Sequence, residues 1–101
     1  MKLLTKKLRK DLPELYSQED LQDDAKAIVK FFTPWANWTW YALEFDGEDR
    51  FFGYVVGDYP EYGYFSLKEL ESVNGPFGLK IERDKYFDKT TMREIKEMHN
   101  G

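Results

Sequence analysis

The chain has 101 residues, no cysteine and 18% aromatic side chains. That length supports one domain with one core, and the missing cysteine excludes disulfides, thiol nucleophiles and cysteine-bound zinc. The net charge of −4 divides into +5 on residues 1–10 and −9 on the other 91, and an acidic body argues against direct nucleic-acid binding because phosphates demand cations.

In chain order, Thr5 is placed to cap a short helix running to about Leu12, with Leu4, Leu8 and Leu12 on one face and the basic run on the other. Pro13 ends it. The basic opening lacks an apolar segment behind it and no stretch reaches membrane-spanning length, so the expected location is the cytoplasm, with no membrane partner. Glu14 to Asp24 reads as a connector anchored by Tyr16 and Leu21, with Ser17 capping a turn through Asp20. Its acids Glu19, Asp20, Asp23 and Asp24 lack the ligand order and turn glycine of a calcium loop, so no metal is expected.

Ala27–Phe32, Trp38–Phe45 and Arg50–Val56 carry the aromatic and β-branched content of strands. Asp46-Gly47 between the last two predicts a hairpin. Gly57 to Gly63 reads as a loop and Tyr64-Phe65 as a brief fourth strand. Ser66 with Glu69 opens a short helix whose Leu67, Leu70 and Val73 face inward, and Asn74-Gly75-Pro76 closes it. Leu79–Glu82 is a last strand, with Leu79 and Ile81 on one face, and Tyr86-Phe87 forms an anchor. Thr91 with Glu94 opens a terminal helix that buries Met92, Ile95 and Met98 and frays at Asn100-Gly101. The fold class is therefore α+β: one domain over residues 1–101, with a small antiparallel sheet of four to five strands and N-terminal, middle and C-terminal helices.

The run from Phe31 to Phe45 holds seven aromatic rings in fifteen residues, including all three tryptophans. Period-two alternation divides the hairpin into two faces. Thr39, Tyr41, Leu43, Phe45, Phe52, Tyr54 and Val56 share the core face. Trp38, Trp40, Ala42, Glu44, Phe51, Gly53 and Val55 share the other, which is expected to be partly wet.

Catalytic material is scarce. His99, the one histidine, sits in the last turn of a helix, where an imidazolium complements the helix dipole. No triad and no phosphate loop is present. Glu44 among tryptophans lacks a second carboxylate to work with, and is expected to be solvated or paired with a lysine. The expectation is a protein that is not an enzyme and needs no cofactor. Between Glu44 and Glu71 eight acids stand against two bases, interleaved with aromatic residues. Exposed aromatics amid carboxylates have the composition of a protein-binding hot spot. The expected contact residues are Trp35, Trp38, Trp40, Glu44, Glu48, Asp49, Asp58, Tyr59, Glu61 and Tyr62.

The segments LPELYSQE, FFTPWANWTWYALEFDGED and GYFSLKELE resemble a bacterial family known only as a domain of unknown function. The resemblance implies a small accessory protein of plasmids, phages or conjugative elements, often found near antirestriction functions, and it carries over no catalytic residues. Together these readings lead to an expected stoichiometric binder of a host protein or protein–nucleic-acid complex. It would act as a monomer or homodimer and inhibit restriction or CRISPR defence. The alternative is a small-ligand or single-stranded nucleic-acid module seated in the tryptophan-rich hairpin.

Overall fold

A computed structural model describes residues 2–100, so the fraying expected at Gly101 lies outside the described residues. Helix α1 spans Lys6–Asp11, with the Leu8 N–H donated to the Thr5 hydroxyl at 3.1 Å. The strands are β1 (Lys26–Ala27), β2 (Val29–Phe32), β3 (Thr39–Phe45), β4 (Arg50–Val56), β5 (Pro60–Ser66), β6 (Glu82–Arg83) and β7 (Thr90–Thr91). Helices α2 (Leu67–Ser72) and α3 (Met92–Asn100) follow β5 and β7. The main sheet is antiparallel, in the order β5-β4-β3-β2-β6, while β1 and β7 form a separate two-stranded ribbon. The architecture is α+β.

The sheet is packed on both sides. Against one face lie Leu3, Leu4, Leu12, Leu67 and Leu70, brought by the N-terminal segment, α1 and α2 onto Phe31, Ala42, Phe45 and Phe51. Phe51 is the hub of this layer. It stacks on Phe45 at 4.5 Å and on Phe65 at 5.1 Å, and meets Phe31 edge-on at 5.6 Å. Such ring pairs add roughly 0.5–1.5 kcal/mol each beyond the area they bury. Against the opposite face, Met92 and Ile95 of α3 close over Tyr41, Leu43 and Tyr54.

A β-bulge sets the division of side chains between these faces. Ala42 pairs with Gly53, but beyond it Glu44 pairs with Phe52 and Phe45 with Phe51. The extra residue, Leu43, inverts the alternation. Phe45 therefore joins the α1/α2 side rather than the face of Tyr41, and Glu44 leaves the tryptophan face for the side of Phe52 and Tyr54. Uninterrupted period-two pairing predicts the opposite placement of both. Gly53 makes the junction possible, because a Cβ there would collide with the Tyr41 carbonyl.

Other expectations are corrected locally. The segment expected as one strand over Ala27–Phe32 breaks at Ile28, so that its first part pairs with β7 and its second with β3 and β6. β5 begins at Pro60 rather than Tyr64, since at a sheet edge a proline needs no partner for a missing N–H. The last main-sheet strand lies at Glu82–Arg83; Ile81 is buried and Leu79 exposed. Val73, Met98, Tyr86, Tyr16 and Leu21, all expected inside, are exposed: α2 ends before Val73, the chain turns at Tyr16, Leu21 and Tyr86, and Met98, though within α3, lies beyond the turn that carries Met92 and Ile95 into the core. Glycine closes α2 differently from a left-handed cap: Gly75 has φ −87°, and what requires it is the Trp35 indole lying where a Cβ would project.

Candidate functional site

The bulge creates a site. On the open edge of β3 the Phe45 N–H is donated to the Pro13 carbonyl at 2.9 Å. The Glu44 carboxylate, only 4% exposed, accepts the backbone N–H of Tyr16 at 2.7 Å and of Gln18 at 2.9 Å. The Gln18 amide donates to the carbonyls of Lys26 and Leu43 and accepts the Lys26 N–H. Residues 13–18 are thus fastened to the sheet by polar bonds, not by the apolar anchors expected of Tyr16 and Leu21. Glu44 is neither solvated nor paired with a lysine: both its oxygens are engaged by main-chain amides. Ser17 donates to the Glu14 carbonyl and caps nothing.

Between this segment, the face of β4 and β5, and α3 lies a groove of about 470 Å³. Its walls are aromatic: Tyr16 on one side, with Phe52, Tyr62 and Tyr64 on the other. Phe52 stacks parallel to Tyr62 at 5.8 Å and meets Tyr64 edge-on at 5.1 Å, which holds these rings upright. Tyr16 and Gln22, both lining the groove, hold positive φ angles of 71° and 50°. Non-glycine residues adopt such conformations at a cost of about 1–3 kcal/mol.

The charges are partly spent. Asp23 and Lys96 pair at 2.6 Å; the hydrogen bond from Lys96 holds the Asp23 carboxyl below its usual range, and Asp23 in turn raises the ammonium of Lys96. Lys96 also lies 5.0 Å from the centre of the Tyr62 ring, and Arg50 4.5 Å from that of Tyr64, so both rings already accept cations. The Tyr64 hydroxyl donates over 3.4 Å to that of Tyr16, which raises the Tyr64 phenol. Among the described residues the Glu19 carboxylate has no hydrogen-bond or salt-bridge partner, whereas the Tyr62 hydroxyl, after Asp23, helps to raise the Lys96 ammonium. No nucleophile stands beside a base here, and no three His, Asp or Glu side chains among the described residues cluster as a metal site. What the groove offers is ring faces, a free carboxylate and depth.

The ten contact residues expected from the sequence do not form one surface. Glu44 and Tyr62 both line the groove. Trp35 and Trp40 are half-buried against the opposite, α1/α2 side, and Trp38, 40% exposed, stacks on Trp40 at 5.9 Å. Glu48 is exposed at the hairpin tip. Asp49 beside it is occupied: it accepts the Ser66 hydroxyl at 2.6 Å and the Lys68 N–H at 2.8 Å, completing the cap of α2. Asp58, Tyr59 and Glu61 are exposed along the loop and the start of β5. The expectation missed Tyr16, Gln18, Glu19, Phe52 and Tyr64. Alternation of Phe52 and Tyr54 against Tyr62 and Tyr64 was the available clue to part of that set.

Fold and groove together define a small α+β protein with a helix-packed sheet and a tyrosine-lined cleft at one edge. The chain belongs to the family described as "Protein of unknown function (DUF2958)", whose pattern matches residues 3–96. No curated protein and no solved structure matches it. No helix among the described residues is long and apolar enough to cross a membrane.

Proposed function

We propose that this chain is a non-catalytic, cytoplasmic binding protein that captures a basic surface of another protein in the tyrosine-lined groove. In the mobile-element setting that its family resemblance implies, the partner would be a nucleic-acid-handling component of host restriction or CRISPR defence. The observation that carries the reading is the groove itself: four aromatic rings, two of them already holding cations, beside the unpaired carboxylate of Glu19. An arginine or lysine from a partner would find ring faces and a counter-charge together, the composition of an anchor pocket. The −9 charge outside the first ten residues would steer such a partner inward.

The alternative, a ligand or single-stranded nucleic acid on the tryptophans, has weaker support. Trp35 lies against Gly75, Trp38 against Gly57 and Trp40 against the core, so much of each indole is engaged by the protein itself. Affinity capture from a host lysate with wild type, Tyr62→Ala/Tyr64→Ala and Trp38→Ala separates the two. Loss of a specific protein with the tyrosine variant and its retention with Trp38→Ala is the expected result. The reverse pattern would move the site to the indoles.

A further inference from the structure

We infer that the groove's occupant is an extended, basic segment of another protein that adds as a sixth strand along β5. This deepens the binding function proposed above and rests on it. β5 is the outer strand of the main sheet, with β4 on its only paired side. The direction of its free backbone groups can be read from the ladder. The Leu67 N–H is donated to the Asp49 carbonyl at 2.8 Å, and the register runs Ser66 to Arg50, Phe65 to Phe51 and Gly63 to Gly53. Hydrogen bonds alternate along an antiparallel pair. Phe65, Gly63 and Glu61 therefore bond to β4, while Tyr62 and Tyr64 turn their N–H and C=O groups outward. No backbone partner meets those outward groups among the described residues.

Exposed edges are ordinarily guarded by lysine, by bulges or by covering segments. β5 has no lysine or arginine between Pro60 and Ser66, its register to β4 is unbroken, and its one proline stands at its first position. Seven residues are enough for a short added strand to pair.

The two faces beside this edge accept alternate side chains of such a strand. One set would drop toward Tyr62, Tyr64 and Glu19 in the groove. The other would lie over Gly63, where nothing stands within 4 Å of a projected Cβ, next to exposed Glu61. Asp58 and Glu61 on one side and Glu19 across the groove select a cationic segment. They also disfavour a second copy of this acidic chain, whose own β5 would bring Asp58 and Glu61 to the same seam.

A short peptide alternating lysine and valine, and its glutamate counterpart, test the inference against the ¹⁵N-labelled protein. The lysine peptide is expected to bind and to slow hydrogen exchange at the Tyr62 and Tyr64 amides, with the glutamate peptide inert. Tyr62→Pro, which deletes one outward N–H, should bind about tenfold or more weakly than Tyr62→Val, which deletes the ring alone. Binding with both amides still exchanging freely, or equal affinities for the two variants, overturns strand addition and leaves the groove reading standing. No binding of the lysine peptide defeats the groove reading as well. Equal binding of the glutamate peptide removes the charge argument. Amides protected in proportion to protein concentration without peptide would show that a second copy takes the edge, which also overturns the proposal. Should Tyr62→Pro unfold, the exchange of Tyr64 in the wild type decides alone.

Discussion

The Glu44 carboxylate accepts the Tyr16 N–H at 2.7 Å, across 28 positions of sequence, and so ties one wall of the groove to its floor. Its second oxygen takes the Gln18 N–H, so a single buried side chain terminates two backbone donors. Glu44→Gln keeps the shape but turns an NH₂ group toward one of those donors. The expected cost is about 1–3 kcal/mol of stability, the range for a buried group left unsatisfied. Urea denaturation measures it, and hydrogen exchange should quicken at Tyr16 and Gln18 while the Phe51 layer stays protected. A stability unchanged by this substitution would mean that Glu44 is not the fastening.

Acid sensitivity should arise at the β3–β4 hairpin as well as at the Asp23–Lys96 pair, whose carboxyl is also held low. The Asp49 carboxyl is held below its usual range first by the Ser66 hydroxyl and then by the Lys68 N–H. Asp46 is held low by the N–H groups of Glu48, Asp49 and Arg50, all donated to one oxygen. A carboxyl whose folded pKa is depressed stabilises above its unfolded value, and that stability is lost as pH falls through the folded one. The protein should therefore lose stability below about pH 4. Asp49→Asn should lower stability at neutral pH and flatten the acid limb, both readable from thermal melts across pH.

Much of this fold is legible in the sequence, and the limits of that legibility are local. Thr5, Ser66 and Thr91 each accept the N–H three residues on, as their caps predict, because capping depends on neighbours along the chain. The bulge at Leu43 is different. Pairing by period two works from Thr39 to Ala42 and fails beyond, because burying Phe45 under α1 while offering Glu44 to the 13–18 segment is a demand set by distant parts of the chain. Half of the groove was hidden for the same reason. Tyr16 reads as an apolar anchor until the carboxylate that holds its backbone is known to lie on that side.

Gly53 provides a sharp test of the bulge. A methyl group there would strike the Tyr41 carbonyl, so Gly53→Ala must push β3 and β4 apart, at an expected cost of about 1–3 kcal/mol. Gly63→Ala, one strand over with open space around it, should change stability by no more than about 0.5 kcal/mol. Calorimetry on the pair gives the contrast directly. Similar effects at both positions would contradict the close approach.

His99 should titrate below the ordinary imidazole value, against what its place in the last turn of a helix suggests. Its Nε2 lies 2.7 Å from the Tyr41 hydroxyl; partial burial lowers its pKa, and the ammonium of Lys30 lowers it further. Because the folded value is the depressed one, stability from the neutral ring is present above about pH 6.5 and lost as pH falls through the folded pKa. NMR titration should place the midpoint below that of a model histidine, and Lys30→Gln should move it part of the way back. A raised midpoint would mean that the helix dipole outweighs both.

Photo-crosslinking from two positions addresses the binding claim most directly. Benzoylphenylalanine at Tyr62, in the groove, and at Trp38, on the opposite side, would each be irradiated in a host lysate. The account requires position 62 to capture a discrete basic protein and position 38 to capture none. Capture from position 38 with silence at 62 would contradict it.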